Sequence, residues 1–90
     1  MAEDRATRIK RLRMRSMRRG IKEMDLILSA YADGHLANHD DNGLATYDAL
    51  LSESDLDIYS WITGQGQPPA RFAPLIDAIK ITAQGIVRPT

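Results

Sequence analysis

Two histidines four residues apart, His35 and His39, are the first candidates for chemistry in this chain, since that spacing can put both imidazoles on one helical face. Asp40 or Asp41 would supply a third ligand for a divalent metal. Their surroundings argue against it. Gly34, Asn38, Asn42 and Gly43 mark a polar loop, and ligand identity without a supporting helix is weak grounds for a metal. Asp55 and Asp57 are spaced like a carboxylate pair, but they stand where a helix starts and serve there as cap and first-turn acid. Gly64-x-Gly66 follows a helical stretch rather than a strand, so it lacks the context of a dinucleotide-binding loop. No serine has a histidine nearby in sequence to act as its base. The chain holds no cysteine, which removes thiolate chemistry, disulfides and cysteine-ligated zinc. We therefore read no catalytic set and no metal site, and expect a protein that is not an enzyme.

A different kind of chemistry sits at Arg18-Arg19-Gly20-Ile21-Lys22-Glu23-Met24-Asp25. Glycine inside a helix costs about 1 kcal/mol relative to alanine, so Gly20 marks a break between two helices. Glu23 then falls in the first turn of the second helix, where unpaired amides and the macrodipole favour an acid. Helix physics explains the acid and not the arginines crowded around it. Leu26 lies beside them, an apolar residue on a face otherwise polar, fit for the apolar centre of a docking patch. Arg18, Arg19, Gly20, Lys22, Glu23, Asp25 and Leu26 are the candidate partner-binding residues.

What must position this corner is a small all-α domain. Ninety residues form one domain, 1–90, with a tail beyond about residue 85 expected to be flexible. A hydrophobic content of 43% with 27% charged residues fits a folded chain rather than a disordered one. No apolar run approaches the ~20 residues of a membrane span, and the N-terminus lacks a secretory apolar core, so a cytosolic protein without membrane insertion is expected. Zero net charge hides an asymmetry. Residues 1–22 hold nine of the twelve Lys and Arg, whereas Glu23 to Trp61 holds nine acids and neither Lys nor Arg. That polarity suits a charged partner, or one half of the molecule meeting the other.

Five helices are expected, packed as a bundle with short connections. The first runs from about Asp4 to Arg18, with Ala6, Ile9 and Leu12 as its apolar stripe and Met17 near the edge. Arg8, Arg11, Arg15 and Arg18 line one face of it. The second, about Ile21 to Tyr31, turns Met24, Ile27, Leu28 and Tyr31 inward and stops near Asp33-Gly34. Asp40 or Asp41 caps the third, which buries Leu44, Tyr47 and Leu51 with Leu50 at the edge. Ser54 or Asp55 caps the fourth, whose stripe is Ile58, Trp61 and Ile62. Gly64-Gln65-Gly66-Gln67-Pro68-Pro69 breaks the chain before a fifth helix carrying Phe72, Leu75, Ile76, Ile79 and Ala83. Pro74 either occupies its first turn or kinks a helix begun near Ala70, and Gly85 and Pro89 end it.

Arg19-Gly20-Ile21-Lys22-Glu23 resembles the R-G-x-x-E signature of the SdhE flavinylation factors, whose mitochondrial counterparts are succinate dehydrogenase assembly factors. Leu50-Leu51 and Asp55-Leu56-Asp57-Ile58-Tyr59-x-Trp61-Ile62 resemble that family's L-L-x-x-x-D-x-D-L-F/Y-x-W-I/L stretch, in the right order and at the right separation. The resemblance covers roughly residues 8–66. Leu56 stands where the family often has proline, the loop Asn38–Gly43 and the region after Gly66 match poorly, and the first helix is more basic than usual.

The resemblance implies a helper that binds the flavoprotein subunit of succinate dehydrogenase, and in some bacteria that of fumarate reductase. It would promote covalent attachment of FAD to a histidine of that subunit, with no cofactor of its own and the FAD on the partner protein. It implies Arg19, Gly20 and Glu23 as contact core, with Arg18 and Asp25 in support. Charge-assisted hydrogen bonds donated by Arg19 and accepted by Glu23 across the interface would be worth about 1.5–3 kcal/mol each. A bacterial member would work in the cytoplasm, a eukaryotic one in the mitochondrial matrix. From the residues alone, alternatives stay open: a plain Arg19–Glu23 surface ion pair, a basic-faced nucleic-acid-binding domain, or a regulatory adaptor. Neutral total charge and the lack of interleaved aromatics weigh against nucleic acid.

Overall fold

The computed structural model describes residues 3–85, and the expectation of a flexible tail falls outside them. Five α-helices follow in order: α1 (Arg5–Arg15), α2 (Lys22–His35), α3 (Asp41–Leu51), α4 (Asp55–Thr63) and α5 (Ala73–Gln84). Short 3₁₀ turns at Leu36–Asn38 and Ala70–Phe72 precede α3 and α5. The described residues form no strand. α2 packs against α5, α5 against α4, and α1 lies across α2 and α3.

Periodicity alone places most of the core. Met24, Ile27, Leu28 and Tyr31 of α2, Ile58, Trp61 and Ile62 of α4, and Leu75, Ile76, Ile79 and Ala83 of α5 are buried in one cluster with Leu12, Leu44, Tyr47 and Leu51. Leu50 belongs fully inside, not at the edge, because α3 is covered on two sides. Phe72 is buried from the 3₁₀ turn ahead of α5, where its ring lies 6.1 Å from that of Trp61. Pro74 occupies the first turn of α5, where a missing amide removes no helical bond.

The helix ends differ from expectation in two places. α1 stops at Arg15, three residues short of Arg18, because Ser16 is drawn inside. Ser16 Oγ donates to the carbonyl of Leu12 at 2.8 Å and shares a 2.5 Å hydrogen bond with the Tyr47 hydroxyl. α2 instead runs on through Gly34 to His35. Gly34 takes an ordinary helical conformation, and the fully buried Leu36 carries the chain into the next turn. Asp40 caps α3 by accepting from the Gly43 amide at 2.7 Å.

The charge asymmetry is resolved within the molecule. Five of the nine N-terminal basic residues pair with acids of the same chain: Arg5 with Asp41, Arg11 with Glu3 and Asp48, Arg13 with Asp33, Arg15 with Asp48, and Arg19 with Asp55. The expected four-arginine face therefore dissolves. Arg18 is outside the helix, while Arg11 and Arg15 converge on Asp48 of α3. Burial raises the Asp48 carboxyl pKa, but the Arg11 hydrogen bond and the two arginine charges outweigh it and hold it below the usual range.

Burial pushes the Tyr47 phenol up to about 12, against 10.0 for a free phenol. The folded value exceeds the unfolded one, so the neutral phenol's contribution is whole below pH 10 and is lost as pH rises towards 12. Tyr47→Phe should cost about 1 kcal/mol at pH 7 and flatten that alkaline decline, measured by urea unfolding across pH. An alkaline branch identical in the variant would show that Tyr47 is not its source.

Candidate interaction corner

The link between α1 and α2 is a six-residue bend, Ser16 to Ile21, and two of its residues have positive φ. Arg18 stands at φ 56° and Gly20 at φ 101°. The left-handed region costs a residue with a Cβ roughly 1–2 kcal/mol, so Arg18 holds it only because its surroundings insist. Gly20 lies further out still, where side chains are rarely found. A Cβ built on Gly20 would meet nothing within 4 Å. Backbone conformation, not crowding from this chain, is what demands glycine there.

Between them, Arg19 points inward. Its Nε and Nη2 both lie 2.9 Å from one carboxylate oxygen of Asp55, in the first turn of α4. Nη2 also donates to the Leu51 carbonyl at 2.7 Å, and Nη1 to the Arg15 carbonyl at 3.1 Å. Those carbonyls end α3 and α1, so both are among the acceptors that a helix terminus leaves without a partner. The Arg19 amide donates to the Asp25 carboxylate, which holds the bend onto the start of α2. With side-chain exposures of 14% and 22%, Arg19 and Asp55 form the least exposed of the six ion pairs among the described residues.

This placement revises two readings of the corner. The Arg19–Glu23 surface pair does not form, since Asp55 takes the arginine. The guanidinium expected to reach across an interface is occupied inside the chain, and Asp25 serves the Arg19 backbone rather than the surface. Sequence reading assigned Asp55 only to the helix start. Its pairing with an arginine 36 positions earlier carries no periodic signal, and the two meet only because α3 returns the chain.

The residues around the clip face outward. Arg18, Gly20, Lys22 and Glu23 are exposed, and none of Arg18, Lys22 and Glu23 has an ion-pair partner among the described residues. Leu26 is 51% exposed and sits one helical turn along from Lys22 and Glu23. The corner thus offers an acid, two cations, an apolar side chain and a bare glycine backbone. Glu23 stands in the first turn of α2, where an acid meets the positive end of the helix.

No group of three or more His, Cys, Asp or Glu side chains able to hold an ion occurs among the described residues. His39 Nε2 is 2.7 Å from the Tyr31 hydroxyl, and His35 stacks on the Tyr31 ring at 4.8 Å. Burial, with His35 close by, lowers the His39 pKa against the pull of Asp40.

Arg19→Ala strands two helix-terminal carbonyls and the Asp55 charge. It should cost about 1–3 kcal/mol, discounted for partial exposure, in urea unfolding. Arg19→Lys should recover little, since an ammonium lacks the planar fork that serves three acceptors. Wild-type stability in Arg19→Ala would show that the clip holds nothing.

Residues 10–83 match the family model described as the flavinator of succinate dehydrogenase, well beyond residue 66 where the motif resemblance fades. The chain is 43% identical over 72 residues, 80% of its length, to a mitochondrial succinate dehydrogenase assembly factor 2 of Mycosarcoma maydis, covering 30% of that protein. It is 39% identical over 80 residues, 87% of its length, to the protein of that name from Cryptococcus neoformans, covering 46% of it. With the Meyerozyma guilliermondii protein it shares 49% identity over 61 residues, 68% of this chain and 45% of the other. The chain thus spans less than half the length of these relatives. The extent of the model match, over an all-α fold that exposes the R-G-x-x-E glycine and glutamate, establishes that this chain belongs to the succinate dehydrogenase flavinator family.

Proposed function

We propose that this protein binds the flavoprotein subunit of succinate dehydrogenase, or of the related fumarate reductase, and promotes covalent attachment of FAD to it. Family membership supports the reading, and one structural observation carries it: an internally fastened Arg19 leaves Gly20, Lys22, Glu23 and Leu26 on an open surface. A rigid corner with unpaired charge around an apolar side chain has the composition of a small protein-binding patch. No helix among the described residues is long and apolar enough to cross a membrane. In a eukaryotic cell the site of action would be the mitochondrion, which the relatives' names specify for them.

The helper performs no bond-making of its own on this reading, and the FAD belongs to the partner. Joining a histidine to the flavin requires the two to be held in reacting geometry, with support for charge that develops on the ring. A bound helper supplies this by favouring the arrangement of the partner's domains in which they meet. It shifts a population without touching the reacting atoms. Glu23 would accept hydrogen bonds from partner donors, and Gly20 would let a partner surface come up against the bare backbone.

The flavoprotein subunit, incubated with FAD and the wild-type chain, should gain covalent flavin faster than without it, read as in-gel fluorescence. Glu23→Ala should lose most of that gain, by roughly 1.5–3 kcal/mol of interface energy, while melting as the wild type does. Gly20→Arg should lose the gain too, but with a stability cost of about 1 kcal/mol or more from its backbone angle. Full activity in both variants would remove the corner from the mechanism.

A further inference from the structure

Asp55 lies outside the corner in sequence and belongs to another helix, yet it accepts the Nε–H of the arginine that the corner is built around and pairs with its charge. We infer that Asp55 is a positioning residue for partner recognition, acting through Arg19 to hold the α1–α2 bend in its binding form. The inference rests on the function proposed above.

The bend is unfavourable left to itself. Arg18 and Gly20 both stand at positive φ, and Arg18 has a Cβ that disfavours it. Reversing the hand on either side of Arg19 is what sends its side chain inward while its neighbours face solvent. The bend persists because the guanidinium is fixed, and it is fixed by three acceptors of which only Asp55 carries charge. Without that carboxylate, Arg19 becomes a mostly buried cation held by two carbonyls. Turning it out to water and letting Arg18 return to negative φ then become the easier course. Gly20 and the exposed backbone beside it move with that change. The Asp25 bond to the Arg19 amide secures only the base of the bend. A corner competent for only a fraction of the time binds more weakly by that fraction.

The test is a titration of the whole chain against the flavoprotein subunit with FAD, reading covalent flavin, alongside thermal melting of each variant. Asp55→Ala should raise the half-saturating concentration about tenfold and leave the plateau at excess helper unchanged. Asp55→Glu, which restores a carboxylate, should return it most of the way. Arg19→Ala combined with Asp55→Ala should be no worse than Arg19→Ala alone, since both break one clip. Additive loss would mean that Asp55 touches the partner itself, and would overturn the inference. So would a wild-type half-saturation in Asp55→Ala. Should Asp55→Ala melt below the assay temperature, Asp55→Asn keeps the side chain's shape and drops its charge. A severalfold rise in half-saturation supports the inference, and a wild-type value overturns it. If the wild-type chain itself produces no gain in covalent flavin, the proposed function fails instead.

Discussion

The guanidinium of Arg19 is where three helix ends meet. α1 and α3 finish beside it with carbonyls that have no partner in their own helices, and α4 begins there with the carboxylate of Asp55. Helix C-termini carry partial negative charge, so two of them together with an acid form a strongly cation-seeking spot. One planar cation with five donors serves all three, which a lysine's point charge does not. That one side chain ties the ends of α1 and α3 to the start of α4 at this end of the bundle. What the chain shows to the outside at Gly20 and Glu23 depends on what it has gathered at Arg19.

The N-terminal excess of positive charge is explained in the same terms. A basic helix and an acidic middle invite a search for an external partner, but the larger part of that complementarity closes within the fold. Asp48 gathers Arg11 and Arg15, and Asp33 and Asp41 take Arg13 and Arg5. Exposed pairs of this kind are worth at most about 1 kcal/mol each. The pairs to Asp41 and Asp48 lay α1 along α3, the Arg13–Asp33 pair ties α1 to α2, and Ser16 and Tyr47 make the polar contact inside. Of the four N-terminal cations left without an acid among the described residues, Arg8 and Lys10 lie on α1, and Arg18 and Lys22 lie at the corner itself.

Much of this was legible from residue order. Stripes at a 3.6-residue period decide which side chains enter a core, and Met24, Ile27, Leu28 and Tyr31 are buried as their spacing requires. Element ends were less legible, because tertiary burial overrides local preference. A buried Leu36 pulls α2 through Gly34, and a buried Ser16 stops α1 before Arg18. Residue order marks the bend at Gly20 but not what lies inside it. R-G-x-x-E places Arg19 and Glu23 one helical turn apart and invites pairing them, but the glycine reverses the backbone between them and hands the arginine to Asp55. No local pattern encodes a bond between residues 36 positions apart.

In this chain the R-G-x-x-E segment divides in two, with Arg19 fastening the scaffold from within and Gly20 and Glu23 facing outward. The most direct measurement of that division is hydrogen exchange at the Arg19 Nε–H, followed by nitrogen-resolved NMR of the free chain near neutral pH. A proton donated to Asp55 in a site only 14% exposed should be shifted from the arginine average and exchange far more slowly than that of Arg18. An Arg19 proton exchanging as fast as that of Arg18 would mean the side chain is free in solution, contradicting the account at its base.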